Sequence, residues 1–305
     1  MDDSGKTSVS SRLGLGTVQF GLDYGVTNAA GRVAPEDVNS ILDRAASDGI
    51  GTLDTAFLYG ESEAVVGRSG RQAAFEIITK TDKVSGARNA GEAADRIERA
   101  FEISLSRLGV AGVDGLLVHD VNDLLGIHAD AVWRRLTELR ATGRARRIGV
   151  SVYEGREIDR LIGRFDFDLV QLPFNALDRR LAENGQLSAL AARGVEIHAR
   201  SIFLQGVLLQ PPERLPAKLA PLRPVVTAMR ESFTRAGLTV MEGLIASVLH
   251  QSEIDRIIVG TTSLRDLEEI VSAATRVGRP EVAYLPDRWD VSDVRLLNPA
   301  MWNAL

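Results

Sequence analysis

Short apolar runs alternate with longer amphipathic stretches along most of this 305-residue chain. The apolar runs are "RLGLGT" (12–17), "GTLDT" (51–55), "FEIITK" (75–80), "VDGLLVH" (113–119), "RRIGVS" (146–151), "FDLVQL" (167–172), "VEIHAR" (195–200) and "DRIIVG" (255–260). Several are nearly continuous in Val, Ile and Leu, the pattern of strands buried on both faces of a parallel sheet. The intervening stretches carry helix signals. "PEDVNSILDRAASDG" has Pro35 in its first turn, acids after it and Gly49 as a stop. "NAGEAADRIERAFEISLSRLG" spaces Ile97, Phe101, Leu105 and Leu108 by three and four and ends at Gly109. "HADAVWRRLTELRATG" repeats the pattern up to Gly143. "EGREIDRLIG", "RRLAENGQLSALAARG", "PVVTAMRESFTRAG…TVMEGLIASVLHQ" and "SLRDLEEIVSAATRVG" complete the series.

Eight strands in βα alternation fit an open doubly wound sheet or a closed barrel, and the number favours a single-domain (β/α)8 TIM barrel. An open nucleotide-binding sheet usually carries G-x-G-x-x-G after its first strand, whereas "GLGTVQ" keeps only two of the glycines. The predicted organisation is a disordered start over residues 1–11, a barrel over 12–277 and a tail over 278–305 packed on it. The stretch from Gly206 to Pro224 holds five prolines and reads as a loop over one barrel mouth. The tail holds Tyr284, Trp289 and Trp302 without a clear period.

Composition narrows the function classes. A formal net charge of −5 provides no basic footprint for nucleic acid or anionic lipid. The absence of cysteine removes disulfides, thiolate nucleophiles and Cys-ligated metal. His119, His128, His198 and His250 are scattered outside any metal-binding spacing, so no metal site is expected. No apolar run is long enough to span a membrane, and "MDDSGKTSVSS" lacks the apolar core of a signal peptide. The expected location is cytoplasmic. Oligomeric state is not readable.

In a parallel barrel, chemistry gathers at the C-terminal strand ends. Asp54, Tyr59, Lys80 and His119 fall there, at or just after the second, third and fourth strands. Singly, each has an ordinary reading: a helix cap, a packed phenol, a lysine reaching to water, a core histidine. Together they compose a proton-handling site. Lys80 is expected to lower the pKa of the Tyr59 phenol, Asp54 to keep Lys80 charged, and His119 to orient a carbonyl oxygen.

At these residues the chain resembles the aldo-keto reductase superfamily. "GLGTVQFG", "LDTAFLYGESEAVVG", "ITK", "VDGLLVHD" and "IGVS" match its motifs in order, within a similarity over roughly residues 12 to 276. The resemblance implies a (β/α)8 barrel that reduces aldehydes and ketones with a nicotinamide cofactor. It assigns Tyr59 as proton donor, Lys80 and Asp54 as its tuning pair and His119 as the carbonyl-orienting group. It further implies that Ser151 and Gln171 hold the nicotinamide carboxamide. Gly260, Thr261 and Thr262 would meet the pyrophosphate, with a plain helix cap at Thr262 or Ser263 as the other reading.

There are departures from the family pattern. Val152 stands where an Asn often follows the fifth-strand serine. Arg200 stands where an aromatic often stacks on the nicotinamide; a guanidinium can also stack, or meet phosphate. Asp266 stands where an Arg or Gln often faces the adenosine 2′-phosphate. Beside it Arg265 could rescue a phosphate, and Glu269 is kept while an expected Asn is Ile270. Family habit favours NADP(H); the local charge favours NAD(H).

The expected function is NAD(P)H-dependent reduction of an aldehyde or ketone. The opening and "RSIFLQGVLL" resemble bacterial members acting on sugar-like carbonyls. The alternatives are a nicotinamide-binding sensor or partner module with little turnover, and a Schiff-base lyase using Lys80, which a neighbouring Asp54 opposes. Phe20, Tyr24, Phe57 and Trp302 are candidate pocket walls that packing explains equally well.

Overall fold

The computed structural model describes residues 9–282, 284 and 287–304. Eight parallel strands close into a barrel in chain order: β1 (Leu13–Gly16), β2 (Thr52–Asp54), β3 (Glu76–Lys80), β4 (Val113–Val118), β5 (Ala145–Ser151), β6 (Leu169–Pro173), β7 (Glu196–Arg200) and β8 (Arg256–Gly260). The longer helices are α1 (Pro35–Ser47), α2 (Ser62–Ser69), α3 (Ala90–Leu108), α4 (Ala129–Ala141), α5 (Gly155–Leu161), α6 (Gln186–Ala191), α7 (Arg223–Arg235), α8 (Val240–Leu249) and α9 (Leu264–Val277). Every apolar run named above overlaps a strand, and the barrel is a single domain.

Local chemistry explains the helix limits. Asn89 accepts the backbone N–H of Glu92 to start α3, and Gly109 ends it at φ 69°. Thr239 and Glu242 form a reciprocal capping box on α8. Ser263 accepts the Asp266 N–H to start α9. Helix α2 lies in a stretch for which no helical pattern is named above. It is short and contains Gly67 mid-helix, where an added Cβ would lie 2.0 Å from the Arg107 carbonyl oxygen of α3. The glycine allows the two helices to touch, and it also weakens the helical signal.

The proline-rich stretch is more ordered than a loop. Val207–Leu209, Pro212–Arg214 and Ala217–Leu222 form 3-10 turns, and Leu208, Leu215, Leu219 and Leu222 are buried. Of the expected disordered start, residues 1–8 lie outside the described residues, while Val9–Arg12 form a 3-10 turn. Part of the tail also lies outside them. In the described part, Tyr284 and Trp289 meet the Phe233 ring of α7 edge-on at 5.7 and 5.9 Å.

Strand period 2 sorts the barrel interior into layers. Ile78, Leu117 and Leu169 form a separate apolar cluster inside the barrel. Glycines make room for it: a Cβ on Gly115 would lie 2.6 Å from Ile78 Cδ1, and one on Gly14 would lie 2.6 Å from Ile258 Cδ1. This plug is an apolar floor. Two residues further along each strand, on the same face, the chain turns polar.

Candidate active site

The polar layer follows from that register. Ile78 leads to Lys80, Leu117 to His119, Leu169 to Gln171, Thr52 to Asp54 and Ile258 to Gly260. Pairing aligns Gly16 with Asp54, and Ser151 with Gln171. Beyond β2 the chain keeps pairing with β3, through Thr55 N–H to Ile78 O (2.8 Å) and Phe57 N–H to Lys80 O (3.2 Å). It then turns back at Tyr59 and Gly60. Gly60 has φ 58°, and a Cβ there would stand 2.7 Å from the Gly21 carbonyl oxygen. The turn brings the phenol over the strand ends.

Asp54 and Lys80 are 4% and 1% exposed, so their charges must be satisfied internally. Lys80 Nζ donates to both carboxylate oxygens at 2.8 Å and to the Thr55 carbonyl at 2.9 Å. Three N–H donors meet three acceptors. An ammonium bound in this way has no lone pair to offer, which opposes the Schiff-base reading. Gln171 Nε2 donates to Asp54 Oδ1 at 2.7 Å, and this leaves Gln171 Oε1 buried without a partner among the described residues.

Lys80 Nζ lies 5.1 Å from the centroid of the Tyr59 ring, and His119 meets that ring edge-on at 5.6 Å. Asp54, Tyr59, Lys80 and His119 therefore converge. The expected lowering of the Tyr59 pKa is corrected by the structure. Burial, and next the Asp54 charge, push the phenol well above its ordinary value. The reason is that Lys80 spends its charge and all its donors on Asp54 and Thr55, so it does not act on the phenol as an isolated cation. Burial likewise pulls the Lys80 pKa down, against the opposing pull of Asp54. The His119 imidazole is held down to about 3, first by burial and then by the Lys80 and Arg200 charges. At neutral pH the site presents a protonated phenol and a neutral imidazole. Nδ1 of that imidazole is buried without a partner.

A cavity of about 690 Å³ connects this cluster to the start of α9. Asp54, Tyr59, His119, Ser151, Gln171, Arg200, Gly260, Thr261, Thr262, Asp266 and Glu269 line it. Lys80 lies beneath Tyr59. Arg265 does not line the cavity; it is 86% exposed and pairs with Glu269 at 2.9 Å. The reading of Arg265 as a phosphate contact has no support in this placement, because its charge already answers an acid. Asp266 Oδ2 accepts the Thr262 N–H at 3.1 Å and the Thr262 hydroxyl at 2.5 Å. One of the backbone donors expected for a phosphate is thus already engaged. Arg200 stacks on Tyr153 at 4.2 Å and donates to the Val152 carbonyl at 2.9 Å.

Of the candidate walls, only Tyr24 lines the cavity. Phe20 is a core residue, Phe57 lies under Arg107 at 4.9 Å, and Trp302 donates to Leu296 O at 3.1 Å within the tail. Sequence reasoning missed Gln19, Tyr153 and Gln205. Gln19 lies against Gly260, where a Cβ would come within 2.8 Å of its amide nitrogen. Its place in the conspicuous "GLGTVQFG" was the available signal. Gln205 donates to the Tyr24 hydroxyl at 3.1 Å.

Comparison with known proteins follows the same lines. The sequence matches the model of the Aldo/keto reductase family over residues 12–284. The oxidoreductase YtbE of Bacillus subtilis is 31% identical over 169 residues, which are 54% of this chain and 58% of that protein. The pyridoxal 4-dehydrogenase of Microbacterium luteolum is 26% identical over 251 residues, covering 68% of this chain and 71% of that one. The chain thus aligns with little more than half the length of the first of these relatives. Among solved structures, the holo form of an aldo-keto reductase from Bacillus halodurans superimposes with a TM-score of 0.68 at 21% identity. It covers 92% of this chain and 94% of that one, a likeness of fold.

Proposed function

This chain belongs to the aldo/keto reductase family, and we propose that it reduces an aldehyde or ketone to the alcohol with a nicotinamide dinucleotide, Tyr59 acting as general acid. The observation that carries this reading is the convergence of the Tyr59 phenol and the His119 imidazole above the buried Asp54–Lys80 pair. A carbonyl oxygen becomes more basic as its carbon is reduced, and Tyr59 holds the proton it needs. His119 can offer an N–H that polarises the carbonyl without competing as an acid. Lys80, tied to both Asp54 oxygens and to the Thr55 carbonyl, fixes the base of the site beneath the ring.

The residues present fit a nicotinamide dinucleotide. Gln171 Oε1 is a buried acceptor without a partner, suited to the amide N–H of a carboxamide, and Ser151 is its neighbour in register. The other end of the cavity lies at the start of α9, where Gly260, Thr261 and Thr262 form the wall. When bound, the cofactor supplies the hydride. Asp266 and Glu269 place acids at the adenosine end, while Arg265 is turned to Glu269. That lining supports NADH over NADPH, because a carboxylate repels a 2′-phosphate and accepts hydrogen bonds from a bare ribose.

The test combines fluorescence titration of NADH and NADPH with turnover on an aldehyde panel. Tyr59→Phe is expected to keep cofactor affinity and to lose ~10²–10⁴-fold in kcat, the usual contribution of a general acid. A variant as fast as wild type would remove Tyr59 from the proton-donor role.

A further inference from the structure

We propose that Arg200 receives an anionic group, carboxylate or phosphate, carried by the carbonyl substrate; this rests on the reductase reading and deepens it to a substrate class. Charge balance is the starting point. Asp54 cancels Lys80 and His119 is neutral, so Arg200 is the uncompensated cation of this end of the cavity. No other lysine or arginine among the described residues lines the cavity, and none of the described carboxylates pairs with Arg200. Arg147, by contrast, sits between Glu76 and Glu196.

The guanidinium is also held in place. Tyr153 supports one face at 4.2 Å, Nη2 donates to the Val152 carbonyl at 2.9 Å, and Nη1 reaches Ser201 Oγ at 3.4 Å. Of its five N–H donors, these two contacts leave three, enough for a two-pronged grip on an oxyanion. The loop after it is rigidly set. Ser201, Leu204 and Gln205 have φ of 60°, 47° and 54°. Asn175 Nδ2 donates to Ser201 O at 3.3 Å, and Thr27 Oγ1 to Gln205 O at 3.1 Å. Strained non-glycine backbone that is tied at two points is the mark of a preset site.

Position selects the substrate as the source of the anion. Arg200 acts electrostatically on Tyr59, Lys80 and His119. The wall proposed for a dinucleotide's phosphates is Gly260 to Thr262, where β8 runs into α9. An anionic group held at Arg200 would present its carbonyl to the phenol and also offset a cation that depresses the Tyr59 pKa.

The experiment compares kcat/KM for matched pairs: 4-carboxybenzaldehyde against methyl 4-formylbenzoate, and glyceraldehyde 3-phosphate against glyceraldehyde. In wild type the charged member of at least one pair is favoured by tenfold or more, about 1.4 kcal/mol. In Arg200→Met that ratio falls at least tenfold, and Arg200→Lys keeps most of it. Calorimetric binding of benzoate against benzamide supplies a readout without turnover. Benzoate binds more tightly to wild type, and the difference disappears in Arg200→Met. If no aldehyde is reduced while this Arg200-dependent benzoate binding holds, the reductase reading fails and the anion site stands. Equal ratios in wild type and Arg200→Met overturn the proposal. So does a tenfold rise in the NADH dissociation constant of Arg200→Met with ratios unchanged, which would assign Arg200 to the cofactor's phosphates.

Discussion

Replacing Lys80 by Met would strand a buried carboxylate. The methionine fills nearly the same space, yet the hydrogen bonds to Asp54 Oδ1, Asp54 Oδ2 and Thr55 O disappear. Asp54 keeps only Gln171 Nε2, at 2.7 Å, in a site that is 4% exposed. Breaking one side of such a pair costs about 3–5 kcal/mol, because the remaining charge stays desolvated. Asp54→Asn alone strands the ammonium and is expected to cost a similar amount. The double variant Asp54→Asn/Lys80→Met removes both charges, and its Asn oxygen still accepts from Gln171. What remains unpaired is the Thr55 carbonyl and the Asn amide N–H group, both neutral, a loss of about 1–3 kcal/mol each. At mid-range the singles sum to about 8 kcal/mol and the double to about 4 kcal/mol, so the coupling energy is about 4 kcal/mol. Urea unfolding of the ligand-free protein, with the slope m checked for constancy, measures it. Single losses that add to the double loss within ~0.5 kcal/mol would refute the argument, since independent sites behave that way.

Three other outcomes follow from the same structure. Asp266→Arg should shift the ratio of NADPH to NADH dissociation constants toward NADPH by about tenfold, an ion pair with phosphate replacing a repulsion; an unchanged ratio in fluorescence titration would end the charge argument. The His119 pKa is held at about 3 in the fold, below the ~6.5 of an unfolded chain. The unfolded state therefore binds the extra proton, and this stability is complete above pH 6.5 and lost as pH falls toward 3, by up to about 1.4 kcal/mol per pH unit. His119→Leu should flatten that slope in urea midpoints taken between pH 6 and 4, and equal slopes would show that the imidazole is not held neutral. Gly67→Ala forces a methyl toward the Arg107 carbonyl, 2.0 Å from the ideal Cβ position, and should destabilise by about 1–3 kcal/mol; a neutral thermal melt would show that the α2–α3 contact yields easily.

Legibility in the sequence tracked how local each cause was. The strands of the barrel announced themselves because a β strand buried on both faces must be apolar within a few residues. Asp54, Lys80 and His119 were legible because period 2 and parallel order fix which residue ends each strand on the inner face. Helix α2 was not legible, since eight residues with a mid-helix glycine carry little periodicity and the contact with α3 holds them. The proline-rich stretch looked like loop because 3-10 turns have no long-range pattern to read.

Sequence by itself determined the order of strands and the types of side chain at the inner strand ends, because backbone periodicity and burial act over a few neighbouring residues. Only the tertiary structure decided that Tyr59 stays protonated, that Lys80 gives all its donors to Asp54 and Thr55, that Arg265 turns to Glu269 and that Arg200 stacks on Tyr153 without a carboxylate partner among the described residues. A proton's affinity and a cation's partner depend on the summed field and desolvation from groups such as Asp54, Gln171 and Arg200, which lie far apart in the chain and meet only when the barrel closes.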